Sequence, residues 1–440
     1  MSSPELTATL PAVHAERRAR LARSMAHGIA VVPTAPERMR NRDSYYPYRS
    51  DSYFYYLTGF PEPEAVLVVV AGRQTKSLLF CRERNAEREI WDGFRYGPEQ
   101  ARSQFGFDEC HPIGALDAMM SQLLADQPQL YCHLDADDSW NRRVLGWIDA
   151  VRTQARAGIT APAVIRDVHA ILDDMRLIKD DHELTTLRRA AQIAAAAHQR
   201  AMRVARPGRA EYEVEAELLH EFRHHGAQAP AYTPIVAGGA NACVLHYVQN
   251  NARLRAGELL LIDAGCELDN YASDLTRTFP VSGKFTPLQR DLYQMVLVAQ
   301  AAAIAAVKPG AAWIAPHDAA VRVLAQGFVD FGLCAGDVEQ VIESGDYKRF
   351  YMHRTGHWLG LDVHDAGDYK RGGQWRALES GMVLTVEPGC YIRPADHVPE
   401  RFWNIGIRIE DDVLVTAGGN EVLTQAAPKT VAAIEALMRG

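Results

Sequence analysis

The chain contains the stretch Gly257-Glu-Leu-Leu-Leu-Ile-Asp263-Ala-Gly265 and, further on, the similar stretch Gly381-Met-Val-Leu-Thr-Val-Glu387-Pro-Gly389. In both, an acid stands six residues after the first glycine and another glycine stands eight residues after it. Each predicts an apolar strand that delivers a carboxylate just before a turn. Any buried strand that ends in glycine can match this layout by chance. Helix-forming segments precede both stretches, however, at residues 183–206 and 211–225, then 287–307 and 315–331. We infer an internal duplication whose two halves bring the carboxylates together.

Two further acids accompany the first pair. Asp274 lies 11 residues after Asp263, on the predicted return strand 271–279 of a hairpin, and Glu410 ends the alternating segment 405–409. Cross-strand neighbours sit about 5 Å apart, so acids placed there repel each other unless a cation lies between them. Any one of the four acids could be purely structural. Four of them on short apolar strands would need compensation when buried.

Histidines supply a possible fifth ligand. The motif Tyr351-Met-His353-Arg-Thr-Gly-His357-Trp-Leu-Gly-Leu-Asp-Val-His364 holds three, and His246 lies upstream. Lone histidines are usually packing or surface residues. An all-imidazole zinc site is the alternative, but none of these four histidines belongs to an HExxH motif. One imidazole with four carboxylates is an oxygen-rich set, which favours two divalent ions and favours Mn²⁺ over a thiophilic metal.

Composition excludes several classes of protein. Hydrophobic residues make up 48% and charged residues 23%, which is typical of a soluble globular chain. The net charge of −8 gives no basic footprint for nucleic acid. Residues 1–25 lack the apolar core of a signal peptide, and apolar runs such as 65–71 are too short to span a bilayer. Seven cysteines without a CxxC motif indicate neither a disulfide framework nor a cysteine zinc site. We expect a cytoplasmic protein without nucleic-acid or membrane partners.

The pattern of elements predicts two domains. Residues 1–172 alternate strand-like and helical segments, as expected of an α/β domain. The strand-like runs are 52–57, 64–70 and 78–81, and the helical ones are 117–126 and 140–156. Residues 173–206 have a helix-forming composition that is unbroken until Pro207-Gly208, and they open a second domain, 173–440.

Five local motifs together resemble those of the M24 metallopeptidase family. They are Leu-Ile-Asp263-Ala-Gly, Ser-Asp274-Leu-Thr-Arg-Thr-Phe, Gly-His357-Trp-Leu-Gly-Leu-Asp-Val-His364, Glu387-Pro-Gly and Arg408-Ile-Glu410. The stretches Arg42-Asp-Ser-Tyr-Tyr-Pro-Tyr-Arg49 and Leu57-Thr-Gly-Phe-Pro-Glu-Pro-Glu-Ala65 resemble the N-terminal domain of the family's bacterial aminopeptidase P branch. The resemblance implies an α/β N-terminal domain of the creatinase and aminopeptidase P type, followed by an α+β catalytic domain with the pita-bread fold.

The resemblance also implies a reaction and a set of roles. The enzyme would hydrolyse the N-terminal Xaa-Pro bond of peptides by means of a hydroxide that bridges two metal ions. The implied metal ligands are Asp263, Asp274, His357, Glu387 and Glu410, with Asp274 and Glu410 bridging. Glu387 would also shuttle a proton, and His246 and His364 would bind the peptide group and the oxyanion. The implied substrate-binding residues are His353, Tyr369, Arg408 and Trp91, the last reaching a neighbouring subunit's site within a homo-oligomer, expected to be a tetramer.

Several other functions are possible for a chain with these motifs. A prolidase, which cleaves only Xaa-Pro dipeptides, uses the same metals. Methionine aminopeptidases typically lack so large an N-terminal domain. Non-catalytic binding modules on this fold lose metal ligands, and creatinase-like amidinohydrolases lack this metal set, whereas this chain keeps all five positions. Trp91 has an equally simple interpretation as an aromatic residue of the local core.

Overall fold

The computed structural model describes residues 4–134 and 138–440, and it divides into two compact units, Met1–Met175 and Arg176–Gly440. Within the described ranges, no helix is both long enough and apolar enough to cross a membrane.

The first unit is built on a six-stranded mixed sheet with the order β6-β5-β4-β1-β7-β8. Its strands are β1 (Gly28–Pro33), β4 (Val66–Ala71), β5 (Lys76–Cys81), β6 (Glu109–Pro112), β7 (Gln129–Cys132) and β8 (Val164–Asp167), and a separate hairpin is formed by β2 (Met39–Asn41) and β3 (Ser44–Tyr45). Its helices are α1 (Pro4–Met25), α2 (Ser52–Thr58), α3 (Ala86–Asp92), α4 (Gly97–Phe105), α5 (Leu116–Leu123), α6 (Asp138–Arg152) and α7 (His169–Leu177), which runs across the unit boundary.

The aromatic run at 52–57 is a helix, not the expected strand. Asp51 caps the helix by accepting a hydrogen bond from the backbone N–H of Phe54, and Gly59 ends it in the left-handed conformation at φ 62°. These local caps outweigh the β propensity of the aromatic residues, which favours strands only weakly.

The second unit has long helices and short strands. Its helices are α8 (Asp181–Val204), α9 (Glu211–His224), α10 (Pro287–Ala306), α11 (Ala315–Asp330), α12 (Val338–Ser344) and α13 (Val431–Arg439). Its strands are β9 (Ala229–Pro230), β10 (Ile235–Gly238), β11 (Leu259–Asp263), β12 (Cys266–Leu268), β13 (Tyr271–Ala272), β14 (Thr276–Pro280), β15 (Lys370–Arg371), β16 (Gln374–Trp375), β17 (Val383–Val386), β18 (Gly389–Ile392), β19 (Ile405–Arg408), β20 (Asp411–Thr416) and β21 (Gly419–Val422).

The predicted unbroken helix 173–206 is two helices in the structure. The helix α7 ends at Leu177, and α8 begins at Asp181 with a capping box. The side chain of Asp180 accepts from the backbone N–H of Glu183, whose own side chain accepts from the backbone N–H of Asp180. This reciprocal cap sets a new helix start that composition alone does not reveal.

Strand ends place the acids. Asp263 is the last residue of β11 and pairs with Thr276 across the ladder to β14. Glu387 directly follows β17, whose neighbour in the sheet is β20. Asp274 lies in the irregular link between β13 and β14, so the expectation that it sits inside a return strand is wrong. Glu410 lies between β19 and β20, and its backbone N–H bonds to Thr276. Most of these acids therefore stand where a ladder is interrupted.

Candidate metal centre and active-site cavity

A cavity of about 570 Å³ in the second unit gathers nearly all of the predicted site residues. Those that line it are Asp263, Asp274, His246, His353, His357, His364, Tyr369, Glu387, Arg408 and Glu410. Trp91 belongs to the first unit instead, where its side chain is 80% exposed. That exposure rules out the interpretation of Trp91 as a local core residue.

Several of the metal-ligand candidates lie close together in this cavity. Ligand atoms of Asp274, His357 and Glu410 all lie within 4.8 Å of one another. The Nε2 atom of His357 is 3.4 Å from Oδ2 of Asp274 and 3.8 Å from Oε1 of Glu387. The other ring nitrogen, Nδ1, bonds to the carbonyl of Trp358 at 2.9 Å, which holds the ring with Nε2 facing the carboxylates.

The fourth acid, Asp263, is held from two sides. Arg408 donates from Nη2 to its Oδ2 at 2.6 Å. The hydroxyl of Tyr232 lies 2.5 Å from Oδ1 of Asp263 and 2.6 Å from Oδ1 of Asp274. A phenol has one proton to donate, so it serves one of the two oxygens at a time. Sequence reasoning missed Tyr232, which carries no motif of its own.

A chain of hydrogen bonds extends from Arg408 to His353, and both residues line the cavity. Arg408 donates from Nη1 to the hydroxyl of Tyr391 at 3.0 Å, and that hydroxyl lies 2.8 Å from Nε2 of His353. Nδ1 of His353 bonds to the carbonyl of Arg354 at 2.7 Å. Because burial lowers the pKa of His353 to about 3, its ring is neutral at pH 7 and accepts from Tyr391. Tyr391 is the second residue that the sequence did not single out.

Two more predicted residues complete the wall. The ring of His364 lies edge-on to that of His357, with centroids 4.3 Å apart, and it remains exposed to the cavity. Tyr369 stacks on Trp358 and accepts a hydrogen bond from its backbone N–H at 3.4 Å. His364 therefore presents its ring to the cavity, whereas the ring of Tyr369 packs against Trp358.

The charges of the cluster fit divalent cations. Burial and the neighbouring carboxylates raise the pKa of Glu410 well above its ordinary value. Burial also raises the pKa of Glu387 to about 7 and raises that of Asp263. Although burial lowers the pKa of His357, its contact with Asp274 raises that pKa to about 9. The raised pKa values mean that the carboxylates hold protons more tightly than usual when no cation is near. A hard divalent metal bound by these oxygens and by Nε2 of His357 would relieve the repulsion between the carboxylates.

Comparison with known proteins agrees with both units. A family profile described as Metallopeptidase family M24 matches residues 185–417, and one described as Aminopeptidase P, N-terminal domain, matches residues 14–131. A Haemophilus influenzae protein named Xaa-Pro aminopeptidase is 44% identical over 425 residues, with 96% of each chain covered. One of the same name from Escherichia coli K12 is 44% identical over 426 residues, again with 96% of each covered.

Solved structures are similar along the same length. The structure of Pseudomonas aeruginosa aminopeptidase PepP has a TM-score of 0.96 and 50% identity, with 98% of each chain covered. A substrate complex of an Escherichia coli aminopeptidase P variant has a TM-score of 0.95 and 43% identity, with the same coverage.

Proposed function

The chain belongs to metallopeptidase family M24, and from that membership and its site we propose that it is a metal-dependent aminopeptidase that releases the first residue of peptides beginning Xaa-Pro. The expected architecture, an aminopeptidase P-type N-terminal domain followed by an M24 catalytic domain, is confirmed by the two profile matches and the structural neighbours. We place the domains at residues 1–172 and 173–440. The observation that carries the function is the cluster of Asp274, His357 and Glu410 inside a peptide-sized cavity.

The metal centre would be held by the five predicted ligands. Carboxylate oxygens of Asp263, Asp274, Glu387 and Glu410 and the Nε2 atom of His357 would hold the ions. Such ions lower the pKa of a bound water and polarise the scissile carbonyl. Mn²⁺ is our proposed metal, because four carboxylates with one imidazole favour a hard cation over a thiophilic one.

Side chains of the protein would transfer the proton and bind the substrate. Glu387 faces the cavity beside His357 and is placed to pass the water proton toward the leaving nitrogen. His246 and His364 would donate hydrogen bonds to the peptide group and to the oxyanion. His353, Tyr369 and Arg408 would hold the proline and the chain that follows it.

Proline itself explains the need for such a site. A prolyl nitrogen has no N–H, so it offers no donor to proteases that hold their substrate by that group. The cavity offers apolar surface in its place, and its aliphatic lining residues are Ile235, Leu245, Val248 and Val363. A ring packed against such a surface gains selectivity without a hydrogen bond.

A prolidase is the competing function, because it would use the same metals. Tripeptides of the form Xaa-Pro-Xaa separate the two: an aminopeptidase cleaves them, whereas a prolidase cleaves only Xaa-Pro dipeptides. We expect cleavage of both tripeptides and longer peptides. Cleavage confined to dipeptides would replace the proposal with the prolidase alternative.

Assembly and location complete the proposal. We propose a homo-oligomer, built as a tetramer, in which Trp91 of one subunit borders the site of another. Its support is the exposure of Ile90 and Trp91, each 80%, and of Phe94, 54%, around the α3 segment. Exposed apolar clusters of this kind commonly mark contact surfaces. A cytoplasmic location also stays a prediction.

A further inference from the structure

A small hairpin stands next to the cavity wall. The strands β15 and β16 pair Lys370 with Trp375 and Arg371 with Gln374. Its two-residue turn is Gly372-Gly373, with φ values of 55° and 79°, the left-handed geometry that a tight type I′ hairpin requires. Because directly opposed residues share one face of a hairpin, Lys370 and Trp375 project to the same side.

Two cations converge on the ring of Trp375. The Nζ atom of Lys370 lies 4.1 Å from the ring centroid, and the Cζ atom of Arg354 lies 5.9 Å from it. Within residues 4–134 and 138–440, no carboxylate lies within 4.0 Å of the charged nitrogens of either cation. Burial raises the pKa of Asp318, and the charge of Arg354 opposes that rise from more than 4.0 Å away. The exposed Arg354 therefore keeps its charge available to a ligand.

The position of Arg354 relates it to the bound peptide. Arg354 lines the active-site cavity, and it directly follows His353, just as Lys370 directly follows Tyr369. Under the proposed function, His353 and Tyr369 face the proline. Since an extended peptide advances about 3.3 Å per residue, a cavity residue next to His353 is within reach of the substrate residues that follow the proline.

We propose that Arg354, supported by Lys370, selects substrates that carry a carboxylate just downstream of the proline, either an acidic side chain or a free C-terminus. The inference rests on the proposed function and refines it. Exposed cation–π contacts are weak, so Trp375 orients these cations without neutralising them. A rim charge of this kind acts mainly on substrate capture, and salt screens it.

The test compares matched peptides with matched variants. Ala-Pro-Glu-Ala-amide, Ala-Pro-Gln-Ala-amide and Ala-Pro-Lys-Ala-amide isolate the side chain, whereas Ala-Pro-Ala and Ala-Pro-Ala-amide isolate the free C-terminus. The measured quantity is kcat/KM at low and high salt. The variants are Arg354→Gln, Arg354→Glu, Arg354→Lys and Lys370→Gln. The control is Arg255→Gln, which removes an exposed arginine that does not line the cavity.

The wild type should favour the Glu peptide over the Gln peptide about threefold to fivefold at low salt, chiefly through KM, and high salt should erase the difference. Arg354→Gln should bring that ratio near one, Arg354→Lys should restore most of it, and Arg354→Glu should favour the Lys peptide. The Arg255→Gln control should keep the wild-type ratio. The acid and amide tripeptides then show which carboxylate is recognised.

Equal wild-type rates on the Glu and Gln peptides would overturn the inference and leave the aminopeptidase intact. An Arg354→Gln variant that slowed all peptides alike, with a lower melting temperature, would overturn it too, because it would show a structural role. Failure of the wild type to cleave any Xaa-Pro peptide would instead refute the proposed function, and this refinement with it.

Discussion

Arg408 donates from Nη2 to Oδ2 of Asp263 at 2.6 Å, although the two residues are 145 positions apart in the chain. Arg408 ends β19 and Asp263 ends β11, so the contact joins two strands that are far apart in the chain at the proposed metal centre. Both side chains are largely buried, at 5% and 14% exposure. The contact therefore depends on the folded arrangement of these strands, and variants of the proposed ligands test the metal centre more directly than they test the fold.

Replacing Glu410 with Gln should separate metal binding from folding. The variant should lose metal-dependent activity, and so should Glu410→Ala and Asp263→Ala. Without metal, Glu410→Gln should melt no lower than the wild type, because a buried carboxylate with a raised pKa is costly in its charged form. Thermal melts with and without Mn²⁺ measure both effects. Glu343→Gln, an exposed control, should match the wild type. Wild-type turnover with normal metal content in Glu410→Gln would remove this residue from the ligand set.

His364→Ala should lower kcat far more than it weakens metal binding. The ring is exposed to the cavity and packs against His357 without belonging to the ligand cluster. Loss of one oxyanion donor typically costs about 10²–10³ in kcat. Steady-state kinetics together with metal analysis measure the two effects, and His225→Ala, at the end of α9, is the control. A collapse of metal content would make His364 a ligand and its proposed role wrong.

Arg277→Ala should be among the most destabilising single changes in the second unit. Arg277 and Asp411 form a fully buried ion pair at 2.7 Å, and Arg277 also bonds the carbonyl of Glu410. Removing one partner of a buried pair costs about 3–5 kcal/mol. The exposed pair of Arg322 and Glu339 is the control, and Arg322→Ala should cost less than about 1 kcal/mol. Denaturant unfolding measures both, and equal costs would contradict the account.

The same pair sets a pH dependence. Although burial opposes it, Arg277 and Lys429 hold the pKa of Asp411 below its ordinary value. A carboxyl with a depressed folded-state pKa contributes stability above its unfolded-state pKa of about 4, and that stability is lost as the pH falls through the folded-state value. The Arg277→Ala variant should therefore lose less stability than the wild type as the pH falls from 5 to the acid transition. The comparison covers the pH range in which both proteins unfold reversibly.

Trp91→Ala should raise KM for longer Xaa-Pro peptides if a neighbouring subunit completes the site. Trp91 is 80% exposed, so it contributes little to packing within the first unit. Light scattering measures the assembly and peptide kinetics measure the site, with Tyr212→Ala as an exposed aromatic control. A monomeric wild type with full activity would refute the shared site. If the protein is an oligomer but Trp91→Ala changes neither KM nor kcat, the proposed assembly stands and Trp91 has no role in the shared site.

The sequence predicted which side chains gather in the cavity better than it predicted the local path of the chain. Motifs revealed the acids at strand ends and the three histidines His353, His357 and His364. Their residue types and spacing are enough to indicate metal binding and catalysis. Tyr232 and Tyr391 were missed because a phenol that bonds a carboxylate or an imidazole has no characteristic spacing. Their hydrogen-bond partners come close only when distant strands pair in the folded protein.

Errors in the secondary structure have a related cause. The run 52–57 was expected to be a strand because of its aromatic residues, yet Asp51 and Gly59 cap a helix there. The predicted helix 173–206 is interrupted where Asp180 starts a new one. Asp274 was expected inside a strand, but the link that carries it bonds through its backbone N–H to Asp412. In each case one carboxylate side chain accepts a backbone hydrogen bond that overrides the propensity of several residues.

The most direct test of the account is cleavage of Ala-Pro, Ala-Pro-Ala and a longer Ala-Pro peptide after chelation and metal add-back. The account predicts that chelation abolishes release of the N-terminal alanine and that divalent metal restores it on all three peptides, Mn²⁺ more than Zn²⁺ at matched free concentration. Restoration mainly by Zn²⁺ would contradict the proposed metal. Full cleavage by protein shown to be metal-free would contradict the central claim itself.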